Sequence, residues 1–232
     1  YMVLTSRHHD GFCLWDSDTT DFTAAKSRAG RDLVAEYVEA CRNAGLKVGL
    51  YYSLGDWRWP VMQQTVEENP EGWREFRNTI RSQLEELCTR YGQIDLLWYD
   101  GAFYPDLSND AVAMAYDAAN LNAMVREHQP QILINNRSGL PEDFDTPEQR
   151  IKASPPGRPW EACVTMNGHW GYCRSDTVWK SARELILRWI TATACGGGNC
   201  LINVGPKPDG TFPKACIERL ETIGEWMRAY GE

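Results

Sequence analysis

Residues 31–53 read RDLVAEYVEACRNAGLKVGLYYS. Leu33, Val34, Tyr37, Val38 and Cys41 recur at helical spacing, and Gly45 stands where a helix should stop. The following KVGLYYS is apolar and aromatic with no polar alternation, as expected of a strand buried on both faces. A helix feeding such a strand implies a parallel sheet covered by helices. The same unit recurs on either side. YMVLT (1–5) predicts a strand, EGWREFRNTIRSQLEELCTRYG (71–92) a helix stopped by Gly92, and IDLLWYD (94–100) a strand. Residues 109–128 predict a helix and QILINN (131–136) a strand. WEACVTM (160–166) predicts a strand, SARELILRWITATACGG (181–197) a helix, NCLINV (199–204) a strand, and PKACIERLETIGEWMRAYG (213–231) the closing helix.

This alternation fits a doubly wound sheet or a (β/α)₈ barrel. No G-x-G-x-x-G and no G-x-x-x-x-G-K-[ST] follows a strand. Polar residues gather instead at the C-terminal ends of strands along the whole chain: His8 and His9, Asp56, Asp100, Asn135 to Arg137, and Glu161. Strand ends converging on one mouth are how a barrel builds a site. The predicted fold class is therefore α/β, a partial (β/α)₈ TIM-like barrel over residues 1–232. About six strands are visible where a barrel has eight, so units preceding Tyr1 are expected.

Composition narrows the function. The chain has 232 residues and a net charge of −8, which argues against a phosphate-backbone partner. No apolar run reaches the ~20 residues of a membrane span. Ten Trp and ten Tyr suit either a large aromatic core or a surface that stacks on sugar rings. None of the eight Cys forms a C-x-x-C pair, so most read as buried thiols, and Cys163 and Cys173 are spaced to bridge a loop.

IDLLWYDG drives Asp100 to a strand end, and Gly101 permits a sharp turn. A strand-end Asp commonly caps the next helix. Trp98, two residues earlier on the same face, favours a carbohydrate site. His8 and His9 suit hydrogen bonding to vicinal hydroxyls better than zinc, since only His128 and His169 remain as further imidazoles. Arg137 follows a strand and offers fixed donors. Glu142, Asp143, Asp145, Glu148 and Glu161 supply further carboxyls. Glycoside hydrolysis needs two carboxyls, one ionised and one proton-bearing, and Asp100 with one acid from residues 142–161 meets that demand.

The segments LTSRHHDGFCLWDSDTTDF, RDLVAEYVEACRNAGLKVGLYYS, LLWYDG, NNR, DFDTPEQ, WGY and LINVGPKPDG, in this order, resemble the retaining α-L-fucosidases of glycoside hydrolase family 29. The resemblance spans nearly the whole chain. It implies a metal-free, cofactor-free enzyme acting on fucosylated oligosaccharides or glycoconjugates, in a secreted, periplasmic or lysosomal-type setting. It implies Asp100 as nucleophile, with His8, His9, Tyr51, Trp98 and Arg137 around the sugar. DFDTPEQ points to Glu148 as general acid/base, with Glu161 as the rival. Asn136 stands where the family's N-D-R motif has Asp. The resemblance also implies earlier barrel units, carrying a further His and a Glu-Trp pair, and usually a β-sandwich after the barrel. The 232 residues alone are thus expected to be inactive or poorly soluble.

Overall fold

The computed structural model describes residues 1–106, 108–195 and 197–231. The chain divides into two compact units, Tyr1–Asp143 and Phe144–Glu232.

The first unit runs β1 (Met2–Arg7), α1 (Leu33–Asn43), β2 (Val48–Ser53), α2 (Pro70–Arg90), β3 (Leu96–Asp100), α3 (Asn109–Ala115), α4 (Ala118–His128) and β4 (Leu133–Ile134). Its strands form one parallel sheet in the order β1-β2-β3-β4. Each strand adds beside its predecessor, with no point at which the order reverses. That winding belongs to a barrel rather than a doubly wound sheet.

Local chemistry sets the helices. Asp32 caps α1 by accepting from the Ala35 N–H, and Gly45, at φ +69°, ends it. Asn69 caps α2 ahead of Pro70, and Gly92 follows its end at φ +67°. Val34, Val38, Trp73, Phe76, Ile80 and Leu84 bury the inner helix faces, packed with the alternate strand residues Leu50, Tyr52, Leu97 and Tyr99. Tyr51, Ser53, Trp98 and Asp100 therefore point to the opposite face of the sheet.

Two expectations are corrected here. The helix predicted over 109–128 is two helices, broken at Asp117 in a left-handed conformation (φ +52°). The Tyr116 hydroxyl, just before the break, donates to the Phe103 carbonyl at 2.8 Å. The strand predicted over 131–136 pairs only at Leu133 and Ile134 and then coils into a 3₁₀ turn, Asn136–Ser138. There the Asn135 side chain replaces strand backbone: its Oδ1 accepts from the Tyr99 N–H at 3.0 Å, and its Nδ2 donates to the Tyr99 carbonyl at 2.9 Å.

The second unit holds β5 (Glu161–Thr165), α5 (Ala182–Ile190), β6 (Asn199–Asn203) and α6 (Lys214–Tyr230). β5 and β6 pair in parallel, and residues 145–148 run alongside β5 through bridges at Asp145–Trp160 and Glu148–Cys163. The helix predicted over 181–197 leaves α-geometry after Ile190 for a π-helical turn, Thr191–Cys195, and Gly196 lies outside the described residues. A Cβ on Gly198 would stand 2.2 Å from Trp160, so glycine is required for the chain to enter β6 under that indole. The suggested bridge between Cys163 and Cys173 does not form. Among the described residues no helix is long and apolar enough to cross a membrane.

Candidate active site

The C-terminal ends of β1 to β4 carry the polar residues of the first unit. Register explains their grouping. Tyr51 pairs with Trp98 across β2 and β3, and Ser53 pairs with Asp100. His8 and His9 follow β1, and Arg137 comes from the turn that Asn135 anchors.

Asp100 sits at the centre. Arg137 Nη1 donates to its Oδ1 at 2.7 Å, and the Tyr51 hydroxyl donates to its Oδ2 at 2.8 Å. His9 Nε2 lies 3.7 Å from the same Oδ2. Burial by itself would raise the pKa of Asp100. The Arg137 charge and hydrogen bond, the Tyr51 hydroxyl and the Gly101 amide outweigh burial and hold the carboxyl below its ordinary value. Asp100 is therefore ionised at neutral pH and remains 24% exposed.

The aromatic groups form a ladder. His8 stacks on Tyr51 with centroids 5.5 Å apart, Tyr51 on Trp98 at 5.8 Å, and the Arg137 guanidinium lies 4.5 Å from the Trp98 ring centre. Trp98 is only 4% exposed, so it acts as a wall that orients Tyr51 and Arg137. Trp57, which the sequence did not single out, is 65% exposed and lies 5.2 Å from His9. Phe103 meets His9 edge-on at 5.0 Å.

Beneath this surface lies an ionic frame. Arg7, buried, donates to the Ser53 carbonyl at 2.6 Å and to Asp56 at 2.7 Å. Arg58 completes the group on Asp56 at 2.9 Å. Asp56 was read from sequence as a strand-end site residue, but it is fully buried and fixes the loop after β2. Burial opposes its ionisation, yet the hydrogen bonds from Arg58 and the Arg7 charge leave its pKa below the ordinary value.

In the second unit, Glu148 is exposed and lies beside Cys163, the middle of β5. Gln149 follows at φ +58°, its side-chain amide donating to Thr165 Oγ1 at 3.1 Å. Glu161 is the first residue of β5, 3% exposed, and accepts from Asn199 Nδ2 at 2.8 Å. Its expected place at the C-terminal end of a strand is thus corrected. Burial pushes its pKa up to about 7, against a smaller opposing effect of Asn199. Among the described residues, no three His, Cys, Asp or Glu side chains are grouped to hold a metal ion.

A protein-family model described as alpha-L-fucosidase matches residues 1–232. The alpha-L-fucosidase of Dictyostelium discoideum is 31% identical over 248 residues, covering 100% of this chain and 52% of its own length. The chain thus spans about half the length of the curated relatives it matches. The solved structure of alpha-L-fucosidase isoenzyme 1 from Paenibacillus thiaminolyticus superposes with a TM-score of 0.85 at 37% identity, covering 100% of this chain and 60% of that one. The Bacteroides thetaiotaomicron enzyme, a GH29 alpha-L-fucosidase trapped as a covalent intermediate with 2-fluoro-fucosyl fluoride, gives 0.89 at 30% identity, covering 100% and 57%. With a strand-end carboxylate set among imidazoles, an arginine and stacked aromatics, and with the family model matched from end to end, the chain belongs to the alpha-L-fucosidase family.

Proposed function

We propose that the protein removes terminal α-L-fucose from oligosaccharides or glycoconjugates with retention of configuration, using Asp100 as nucleophile. The observation that carries this is an ionised, part-exposed carboxylate held by two donors from separate elements, Tyr51 and Arg137. Such a group has a lone pair to attack with and is pre-organised, so little reorganisation is needed as the reaction proceeds.

In the first step an Asp100 oxygen bonds to C1 of fucose as the bond from C1 to the leaving oxygen breaks. Glu148 gives its proton to that oxygen. In the second, the ionised Glu148 takes a proton from water, the water oxygen bonds to C1, and the ester bond to Asp100 breaks. Two inversions give net retention. Tyr51 and Arg137 also stabilise the departing carboxylate. His8, His9 and Arg137 bind ring hydroxyls, and Trp98 or a neighbouring ring takes the C6 methyl.

Glu148 is preferred because Glu161 stands at the wrong end of its strand. Barrel enzymes place their chemistry at the C-terminal ends of strands. Glu161 opens β5, at the opposite end, with Asn199 as its partner. Its raised pKa follows from burial at the strand foot.

In the full-length protein, Asp100→Gly should lose nearly all activity on an aryl α-L-fucoside, and added azide should restore turnover by taking the vacated place. Activity retained without azide would mean that the nucleophile lies elsewhere.

A further inference from the structure

Ser53 is fully buried, and its hydroxyl makes two short contacts. It lies 2.7 Å from the Gly55 carbonyl and 2.6 Å from His9 Nδ1. A serine hydroxyl has one hydrogen. The Gly55 carbonyl can only accept, so two bare oxygens would face each other at 2.7 Å unless that hydrogen points to Gly55. With its hydrogen committed, Ser53 Oγ has only lone pairs to offer His9. Nδ1 must then carry the ring proton, and in a neutral imidazole Nε2 is left bare.

We infer that Ser53 is a positioning residue that fixes His9 as the Nδ1–H tautomer, making Nε2 an acceptor that reads a hydroxyl hydrogen on the sugar. The second part rests on the fucoside reading above; the first does not. Burial and then the neighbouring His8 hold the His9 pKa below its ordinary value, so the ring is neutral at neutral pH. Nε2 faces Asp100 Oδ2 at 3.7 Å. In this tautomer it cannot donate to that oxygen and cannot compete with Tyr51 for it. A sugar hydroxyl entering beside Asp100 would meet a lone pair, which selects a free hydroxyl over an ether or a fluorine.

Gly101 fits the same arrangement. A Cβ there would stand 2.5 Å from His9 Nδ1 and 2.7 Å from Ser53 Oγ. The glycine after the nucleophile leaves space for this hydrogen bond.

The test is the tautomer of His9 in the full-length protein labelled with ¹⁵N-histidine, read by long-range ¹H–¹⁵N correlation at neutral to mildly alkaline pH. Signals are assigned by their loss in His9→Asn. The wild type should show protonated Nδ1 and bare Nε2, and Ser53→Ala should move the ring toward the Nε2–H form. A wild-type ring protonated at Nε2, or a Ser53→Ala ring with unchanged tautomer, would overturn the inference. The wild-type spectrum decides the first point even if the variant folds poorly. A kinetic arm compares an aryl fucoside with analogues carrying fluorine for one hydroxyl at a time. At one hydroxyl, Ser53→Ala should discriminate roughly tenfold less than wild type, about the 1.4 kcal/mol of one modest hydrogen bond. Equal discrimination at every hydroxyl would overturn the hydroxyl-reading part. Absence of all fucosidase activity would sink the fucoside reading and leave the tautomer result standing.

Discussion

Asp100 divides its two oxygens between Arg137 and Tyr51, and this division makes a specific pH prediction. Burial raises the pKa of Asp100, and Arg137 is the largest influence against it. In Arg137→Ala the acidic limb of kcat/KM should move to higher pH, because the carboxylate is protonated sooner as pH falls. The charge-assisted bond is worth about 1.5–3 kcal/mol, so kcat/KM should also drop roughly ten- to hundredfold at neutral pH. An unmoved limb would show that Arg137 does not set the ionisation. Gly101→Ala should add about 1–2 kcal/mol of strain at φ +61° and push against His9. Kinetics and thermal unfolding of that variant should show activity falling at least tenfold while the fold persists; unchanged kcat/KM would contradict the packing described. Asp100 and the histidines stand out in the sequence because polar residues that end or follow an apolar strand are conspicuous, and Trp98 because it lies two residues before Asp100 on the same strand face. Ser53 and Trp57 do not. Ser53 matters only through its register opposite Asp100 and its distance from His9, and nothing in YYSLGDW marks Trp57 as the ring left open.

At the level of elements, β4 is two residues long, and Asn135 carries the sheet onward by bonding both polar groups of Tyr99. Asn135→Ala leaves a buried N–H and C=O unpaired, and chemical denaturation should show a loss on the order of 3 kcal/mol. Activity should fall further than stability accounts for, since the next turn aims Arg137. A loss below about 0.5 kcal/mol would mean that water or other groups replace the amide. At the foot of β5, Glu161 has a folded-state pKa of about 7, above the ordinary 4.5. Between those values the folded state binds a proton that the unfolded state lacks, so stability falls as pH rises through the window and stays lowered above it. At 1.36 kcal/mol per unit, the burden above that window is roughly 3 kcal/mol. Glu161→Gln should therefore be more stable than wild type at about pH 8, gain little at about pH 4, and keep the proposed fucosidase activity, whereas Glu148→Gln should lose it on substrates with poor leaving groups. Loss of activity in the Glu161 variant alone would exchange their roles. The break between α3 and α4 escaped the sequence reading because Asp117, not glycine, takes the left-handed position. The helical periodicity runs on through it.

For the molecule as a whole, the alternation of helices with unalternating strands was readable directly, because strands covered on both faces must be apolar throughout. The sheet order β1-β2-β3-β4 then turns that alternation into a barrel winding and brings residues distant in sequence to the same strand ends. What the pattern did not contain was register, which decides that Tyr51, Ser53, Trp98 and Asp100 share one face while Tyr52 and Tyr99 pack beneath the helices. The central claim is that Asp100 becomes bonded to the sugar. Incubating the full-length protein with a 2-fluoro-fucosyl fluoride, followed by digestion and peptide mass spectrometry, tests it most directly. The account predicts one added fluorofucosyl group, mapped to the Asp100 side chain and absent from Asp100→Gly; a label on any other carboxylate, or turnover of the reagent without a label on Asp100, would contradict it.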